Sequence, residues 1–403
     1  MSIHDIHQTR RDVKARVRRY ALEVLELVLE EEAAEILHAG RHERTEARAG
    51  YRNGSVKRTI TTSQGVDTIA VPRARVEGPD GSTHEFRSEL LPRYQRRTRE
   101  IDEAILGIYL AGANTRRIKQ ALSPLFGETH LSKSAISRVV AKLKDLFARW
   151  RSRDLSEERY AVIYLDGFHL KVRLARRVIS VPILVALGIA EDGSKQLIAM
   201  ELAVRESGES WSRFVADMIG RGLGAPSLLV TDGHAGLKKA RSVWGEIKVQ
   251  RCTKHKWENL KEACPKHAHP ELARDWKAVV DAKNKRAANE AYDSMLSKSK
   301  RDCPPLARSL EEAGKDLLTF YDLPKALWRS VRTTNAIENL NREFRRRTKT
   351  QGSFSTEDAA LTLLFGLIAF GQIKMRRING HYALPHLSIN HTPTMDPSAA
   401  RAA

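Results

Sequence analysis

A chain of 403 residues that is 41% apolar and 29% charged is too long for one small core and too apolar for a disordered segment. Its formal net charge of +20 and pI near 10.0 favour polyanionic partners, nucleic acid first; a membrane surface fits less well, because the basic residues are spread over several segments. Three cysteines, Cys252, Cys264 and Cys303, make no disulfide framework, and the longest apolar runs, "VPILVALGIA" and "ALTLLFGLIAF", fall well short of the ~20 residues of a membrane span.

The opening stretch "MSIHDIHQTRRDVKARVRRY" lacks the apolar core of a secretory signal, so, with these cysteines and apolar runs, a soluble protein of the reducing cytoplasm is expected. Residues 12 to about 39 predict a helix, with Val13, Val17, Ala21, Val24 and Val28 at three- and four-residue steps and Gly40 as its stop. In 50–76, β-branched runs flank "SQG", which predicts a hairpin. The stretch "VPRARVEGPDG" then reads as a basic loop, with Arg73 and Arg75 placed to meet DNA. Together these make a first region, residues 1–90.

Residues 91–152 predict three helices: "REIDEAILGIYLAG", then "NTRRIKQALSPLFG" with Asn114 or Thr115 as N-cap, then "AISRVVAKLKDLFARW". In the third, Ile136, Val139, Val140, Leu143, Leu146, Phe147 and Trp150 make one apolar stripe. Ser134, Ser137, Arg138 and Lys142 fall opposite. This is a helix-turn-helix pattern whose second helix offers polar and basic side chains to a major groove; an ordinary three-helix bundle is the bland alternative.

From residue 158 the period becomes that of strands: "YAVIYLDGFHLKVR", "RVISVPILVALGIAEDG" and "SKQLIAMELAV", then a helix "SWSRFVADMIGRGL", a strand "SLLVTDGH", a helix "AGLKKARSVWG" and a fifth strand near "IKVQRC". That order predicts a mixed sheet with helices on its faces. Residues 253–325 read as helical and charged, 326–380 as a last helical region, and 381–403 as a disordered tail.

Asp166 and Asp232 each end an apolar run and precede a glycine. Either alone also reads as a strand-ending turn residue. As a pair on neighbouring strands they repel when both are ionised, and a hard divalent cation relieves that repulsion. Glu338, in "TTNAIENLNREFRRRTKT", is the candidate third carboxylate. Arg342, Arg345, Arg346 and Lys349 extend a basic stripe suited to phosphates, and Glu343 reads as solvated or paired with these arginines.

The stretches "YRNGSVKRTITT", "VPRAR", "LPRYQRRTREIDEAILGIYLAG", "YLDGFHLKVR", "TDGHAGLKKA", "QRCTKHKWENL", "FYDLPKALWRSVRTTNAIENLNREFRRRTKT" and "GSFSTEDAAL" resemble the Mutator-type family of bacterial insertion-sequence transposases from about residue 50 to 370. The resemblance implies a ribonuclease-H-like α/β catalytic domain, 158–252 and 326–380, interrupted by an all-helical insertion, 253–325. It implies a DDE triad of Asp166, Asp232 and Glu338 holding Mg2+, with Mn2+ as a substitute. It also implies binding to terminal inverted repeats and target DNA, cleavage and strand transfer, and, for synapsis of two ends, a homodimer. A DNA-binding regulator on an inert scaffold and a purely hydrolytic nuclease are the rival functions.

The family carries a Cys-x-x-His pair, here Cys252 and His255. A second pair, Cys264 and His267, is not part of its pattern. Four such ligands suit zinc, but Pro265 interrupts the second pair, and a structural role for Cys252 and His255 is expected, with Cys252 as a near-apolar group. Trp257 is read either as a base-stacking residue or as core.

Overall fold

The computed structural model describes residues 3–62, 65–78, 81–93, 95–126, 132–174, 177–233, 244, 247–349, 354 and 356–387. The chain divides into two compact units, Met1–Lys142 and Leu143–Ala403.

In the first unit a long helix α1 (Ile3–Leu37) lies on an antiparallel sheet of β1 (Gly50–Thr62), β2 (Gly65–Glu77) and β3 (Thr83–Glu85). Leu22, Leu25 and Leu29 of the helix meet Ile60, Ile69 and Val71 of the sheet. An Arg18–Asp67 ion pair at 2.6 Å and a bond from the Ala70 N–H to Glu26 at 2.6 Å fix the same face. The hairpin is as expected, but the basic stretch after it is not a loop. Arg73 and Arg75 sit within β2, where Ala74 and Val76 point inward and the two arginines outward. Arg73 also reaches Glu85 on β3 at 3.4 Å.

Helices α2 (Arg99–Leu110), α3 (Thr115–Phe126) and α4 (Lys133–Arg151) follow. Asn114 caps α3, its Oδ1 accepting from the N–H groups of Arg116 and Arg117. Along α4, Ile136, Val139, Leu143 and Phe147 are buried, whereas Ser134, Ser137, Arg138 and Lys142 are exposed. Leu146 departs from the expected stripe and is exposed.

The second unit is built on a five-stranded mixed sheet of β4 (Val162–Leu174), β5 (Arg177–Ile189), β6 (Lys195–Leu202), β7 (Leu228–Thr231) and β8 (Val249–Arg251), in the order β6-β5-β4-β7-β8. The first three strands are antiparallel neighbours; β4–β7 and β7–β8 are parallel. Alternation along β4 sends Ile163 and Leu165 to one face. There Trp211, Phe214, Val215 and Met218 of α5 (Gly208–Gly220) cover them. Tyr164, Asp166 and Phe168 face the other way.

The helical insertion comprises α6 (Thr253–Glu262), α7 (His269–Val280), α8 (Lys285–Asp302) and α9 (Pro304–Ala313), then short turns. It leaves and returns at one point: Thr253 donates through its N–H and its Oγ1 to the Arg332 carbonyl. Gln250 joins the same junction, donating to the Leu317 carbonyl at 3.0 Å and accepting from the Phe320 N–H at 2.7 Å. Helices α10 (Asn335–Thr348) and α11 (Glu357–Ala369) complete the unit. Phe344 of α10 stacks on Phe168 of β4 at 5.7 Å, so α10 covers the sheet face that carries Asp166. Part of the expected tail is ordered, with a 3-10 turn over His381–His386; 388–403 lie outside the described residues, as does the helix expected over 235–245 apart from Trp244. Among the described residues, no helix is long and apolar enough to cross a membrane.

Candidate active site

Asp166 does not end its strand, as the sequence suggests; β4 continues past it, and Asp166 stands opposite Val185 of β5. What ends there is the parallel ladder. Its last pair is Leu165 with Thr231, so the next residues on the two chains are Asp166, within β4, and Asp232, the first residue after β7. This register brings the two carboxylates together.

Gly233 makes the turn after Asp232 at φ 83°, in the left-handed region that favours glycine. A Cβ there would lie 1.8 Å from Nε of Arg251, a buried guanidinium held by Glu312 at 2.9 Å. The glycine therefore sets how closely the Asp232 loop approaches β8.

Glu338 lies in the first turn of α10. Its Oε2 accepts from Lys254 at 2.6 Å and its Oε1 from the Thr334 hydroxyl at 2.7 Å, with His255 Nε2 at 3.8 Å. One helical turn on, Asn341 Nδ2 donates to Asp166 Oδ2 at 2.8 Å. Cys252 is fully buried; its Sγ accepts from the Thr334 N–H at 3.4 Å, and the Thr334 hydroxyl, whose proton goes to Glu338, lies 3.3 Å from it.

The electrostatics follow from this crowding. Burial, then the charge of Asp232, push the Asp166 carboxyl up to about 7, against the Asn341 bond and His255. Burial also pushes Glu338 up, but the bonds from Lys254 and Thr334 outweigh it and hold Glu338 below the ordinary glutamate value. His255 is raised to about 9, first by its hydrogen bond with Cys252. Burial raises the Cys252 thiol, yet His255 and Thr334 more than offset it and leave it lowered. Cys252 thus has polar neighbours, His255 and Thr334, that hold its thiol below the ordinary value despite full burial.

Among the described residues, the tight cluster of donor atoms is Cys252, His255 and Glu338, all within 4.8 Å of one another. Cys264 and His267 do not join it. Cys264 is buried beside Cys303, while His267 is exposed. Trp257 stacks on Trp276 at 6.4 Å, inside the insertion. The sequence reading missed Lys254, Thr334 and Asn341. Of these, Asn341 left a signal, a polar residue on the apolar side of α10 three residues after Glu338.

Arg342, Arg345, Arg346 and Lys349 are exposed along α10. Arg345 lies over the Phe168 ring at 5.6 Å, and Arg346 pairs with Glu343 at 2.6 Å. The other basic candidates, Arg73, Arg75, Arg138 and Lys142, belong to the first unit, where Lys142 stands 3.9 Å from Asp102.

The family model described as "Transposase, Mutator family" matches residues 3–372. The chain is 34% identical over 350 residues to the transposase for insertion sequence element IS406 of Burkholderia multivorans, covering 85% of this chain and 88% of the relative. It is 32% identical over 376 residues to the IS1081 transposase of Mycobacterium tuberculosis (91% and 88%), and 30% identical over 348 residues to the IS256 transposase of transposon Tn4001 of Staphylococcus aureus (85% and 86%).

Proposed function

The chain belongs to the Mutator family of transposases, and from that premise we propose that it binds the terminal inverted repeats of its own element, cuts at their ends and joins the strands to target DNA. The observation that carries this reading is the β4–β7 register. It sets Asp166 beside Asp232, and the Asn341 bond fastens the helix of Glu338 to the same strand. The mixed sheet, three antiparallel strands followed by two parallel ones, with a helix-borne carboxylate over it, supports a ribonuclease-H-like catalytic domain. The Asn114 cap and the split faces of α4 support a helix-turn-helix reader in the first unit.

Asp166, Asp232 and Glu338 are all-oxygen donors, which fits magnesium, with manganese as a substitute. When bound, the metal supplies Lewis-acid activation of a water or 3′-hydroxyl and stabilises the leaving oxygen of an in-line phosphoryl displacement. The chain's own residues do the rest. Asn341 orients the Asp166 carboxylate, Thr334 and Lys254 hold Glu338 ionised, and the exposed arginines of α10 offer charge to the phosphodiester backbone. Cys252 and His255 act structurally, through Thr334, at the root of the insertion. A protein of this kind works on the nucleoid, and bridging two ends calls for at least two copies.

Labelled end DNA, magnesium and a supercoiled plasmid target test the reading together. Joined product is the expected result. Nicked ends without joining would mean a hydrolytic nuclease, and a mobility shift alone would mean a DNA-binding regulator.

A further inference from the structure

Helix α1 is apolar on two sides. One side meets the hairpin. The other carries Val13, Val17, Tyr20, Val24 and Leu27, from 49% (Val17) to 65% (Tyr20) exposed. Isolated exposed hydrophobics are ordinary; a stripe along four turns of one helix is not. Its steps are four, three, four and three residues, the mean spacing of a coiled-coil seam.

The charges of α1 are segregated along its length. Residues 10–19 carry Arg10, Arg11, Lys14, Arg16, Arg18 and Arg19 against Asp12 alone. Residues 23–35 carry glutamates and no basic residue. Two parallel copies would set like charge on like. Two antiparallel copies set the basic half of each on the acidic half of the other. Some of these charges are already engaged on the hairpin side, such as Arg18 with Asp67 and Glu30 with Arg52. Arg16 and Glu23, which flank the exposed stripe, have no ion-pair partner among the described residues.

We propose that α1 is a homodimer interface: the Val13–Leu27 stripe pairs with the same stripe of a second copy, antiparallel about a two-fold axis near Tyr20. In that register Val13 meets Leu27 of the second copy, Val17 meets Val24, and Arg16 lies beside Glu23, each contact made twice as an isologous interface requires. The pairing gives a two-fold arrangement independent of DNA. It does not rest on the strand-transfer reading: a protein that only nicks DNA would still dimerise this way.

Cysteine cross-linking of the full chain, compared with the unsubstituted protein, tests the geometry. Val13→Cys protein mixed with Leu27→Cys protein should form a disulfide-linked dimer on mild oxidation. Val13→Cys alone should not, because the antiparallel register holds its two copies ~20 Å apart, beyond disulfide reach. Cross-linking of Val13→Cys with itself, or none from the mixture, overturns the proposal. Sedimentation tests the chemistry. Arg16→Glu should weaken the dimer by about fivefold to tenfold, and Arg16→Glu with Glu23→Arg should restore it. Val17→Asp with Val24→Asp should weaken it by about 100-fold while leaving the helical circular dichroism of the chain unchanged, since both positions are exposed in the single chain. A wild-type chain that stays monomeric at tens of micromolar, or a dimer indifferent to these changes, overturns it equally.

Discussion

The Asn341 amide donates to Asp166 Oδ2 at 2.8 Å, and this bond joins the helix that carries Glu338 to the strand that carries Asp166. Asn341 is buried, and its Oδ1 has no hydrogen-bonding partner among the described residues. A residue kept in that state acts on Asp166 rather than as a surface polar group. Asn341→Ala should lower the single-turnover rate of end cleavage by about 10–100-fold, the range for a residue that orients a metal ligand. It should also raise the magnesium concentration needed for half-maximal rate. Asn341→Asp should be worse, because it adds a carboxylate beside Asp166 and Asp232. Wild-type rate and magnesium dependence in Asn341→Ala would remove the residue from the site.

Asp166→Asn, Asp232→Asn and Glu338→Gln should each lose at least about 100-fold in cleavage and joining, above the loss expected for an outer residue. Their affinity for end DNA should stay intact, since the proposed reader lies in the other unit. Glu343→Gln is the control. It is on the same helix, but its carboxylate pairs with Arg346 on the exposed side, so activity should be unchanged. An Asp232→Asn protein that still joins strands would exclude the assignment.

The elements were legible wherever one period ran without interruption. The α1 helix, the hairpin, the three antiparallel strands and the helical insertion all follow from apolar spacing. The strand over Arg73 and Arg75 was not read, although Ala74 and Val76 alternate with the arginines, because Pro72 and the Gly-Pro after it look like loop punctuation. The carboxylate pair was legible as two Asp-Gly steps, but its cause was not. Register between β4 and β7 is a relation between strands far apart in sequence, and no local pattern records it. The character of Cys252 was hidden for a like reason: Thr334, whose N–H donates to its sulfur, comes from beyond the insertion.

The two Asp-Gly steps look alike in sequence and differ in structure. Gly233 has φ 83° and Arg251 where a Cβ would go. Gly167 is an ordinary strand residue, and a Cβ there meets only the tip of the Glu206 side chain, at 2.8 Å. Gly233→Ala should therefore cost about 1–3 kcal/mol from the backbone alone and more from the clash, seen as a lower Tm. Gly167→Ala should leave Tm unchanged or slightly raised, since alanine suits a strand better than glycine. Equal losses in the two variants would contradict this account of the Asp232 turn.

His255 should titrate near 9 in metal-free protein, followed by the NMR shift of its ring protons, because the hydrogen bond with Cys252 favours the imidazolium. Cys252→Ala removes that partner, and the midpoint should fall toward 6.5. Cys252→Asp should keep it high, since a carboxylate at that position can accept from the Thr334 N–H and from His255 in place of the sulfur. Protein purified without added metal should contain no stoichiometric zinc. A zinc-loaded protein in which His255 does not titrate would make Cys252 and His255 ligands rather than structural residues.

Arg138 and Lys142 should divide the work of DNA binding between sequence and charge. Both are exposed on α4, on the side away from Ile136, Val139 and Leu143, so removing either side chain leaves the core untouched. Arg138 lies in the second turn of that helix, near the end that a helix-turn-helix presents to base edges, and its planar fork suits a guanine. Arg138→Ala should lower the ratio of specific to random DNA affinity by about 1–3 kcal/mol, with little effect on random DNA. Lys142 is further along and stands 3.9 Å from Asp102, which places it as a point charge for phosphate rather than a base reader. Lys142→Ala should weaken binding to all sequences alike and reduce the salt slope by about one. Affinities for end DNA and for a scrambled duplex, each measured over a range of salt, separate the two effects. If Arg138→Ala leaves the specificity ratio intact, α4 is not the helix that reads the terminal repeat, and the reader must be sought elsewhere in the chain.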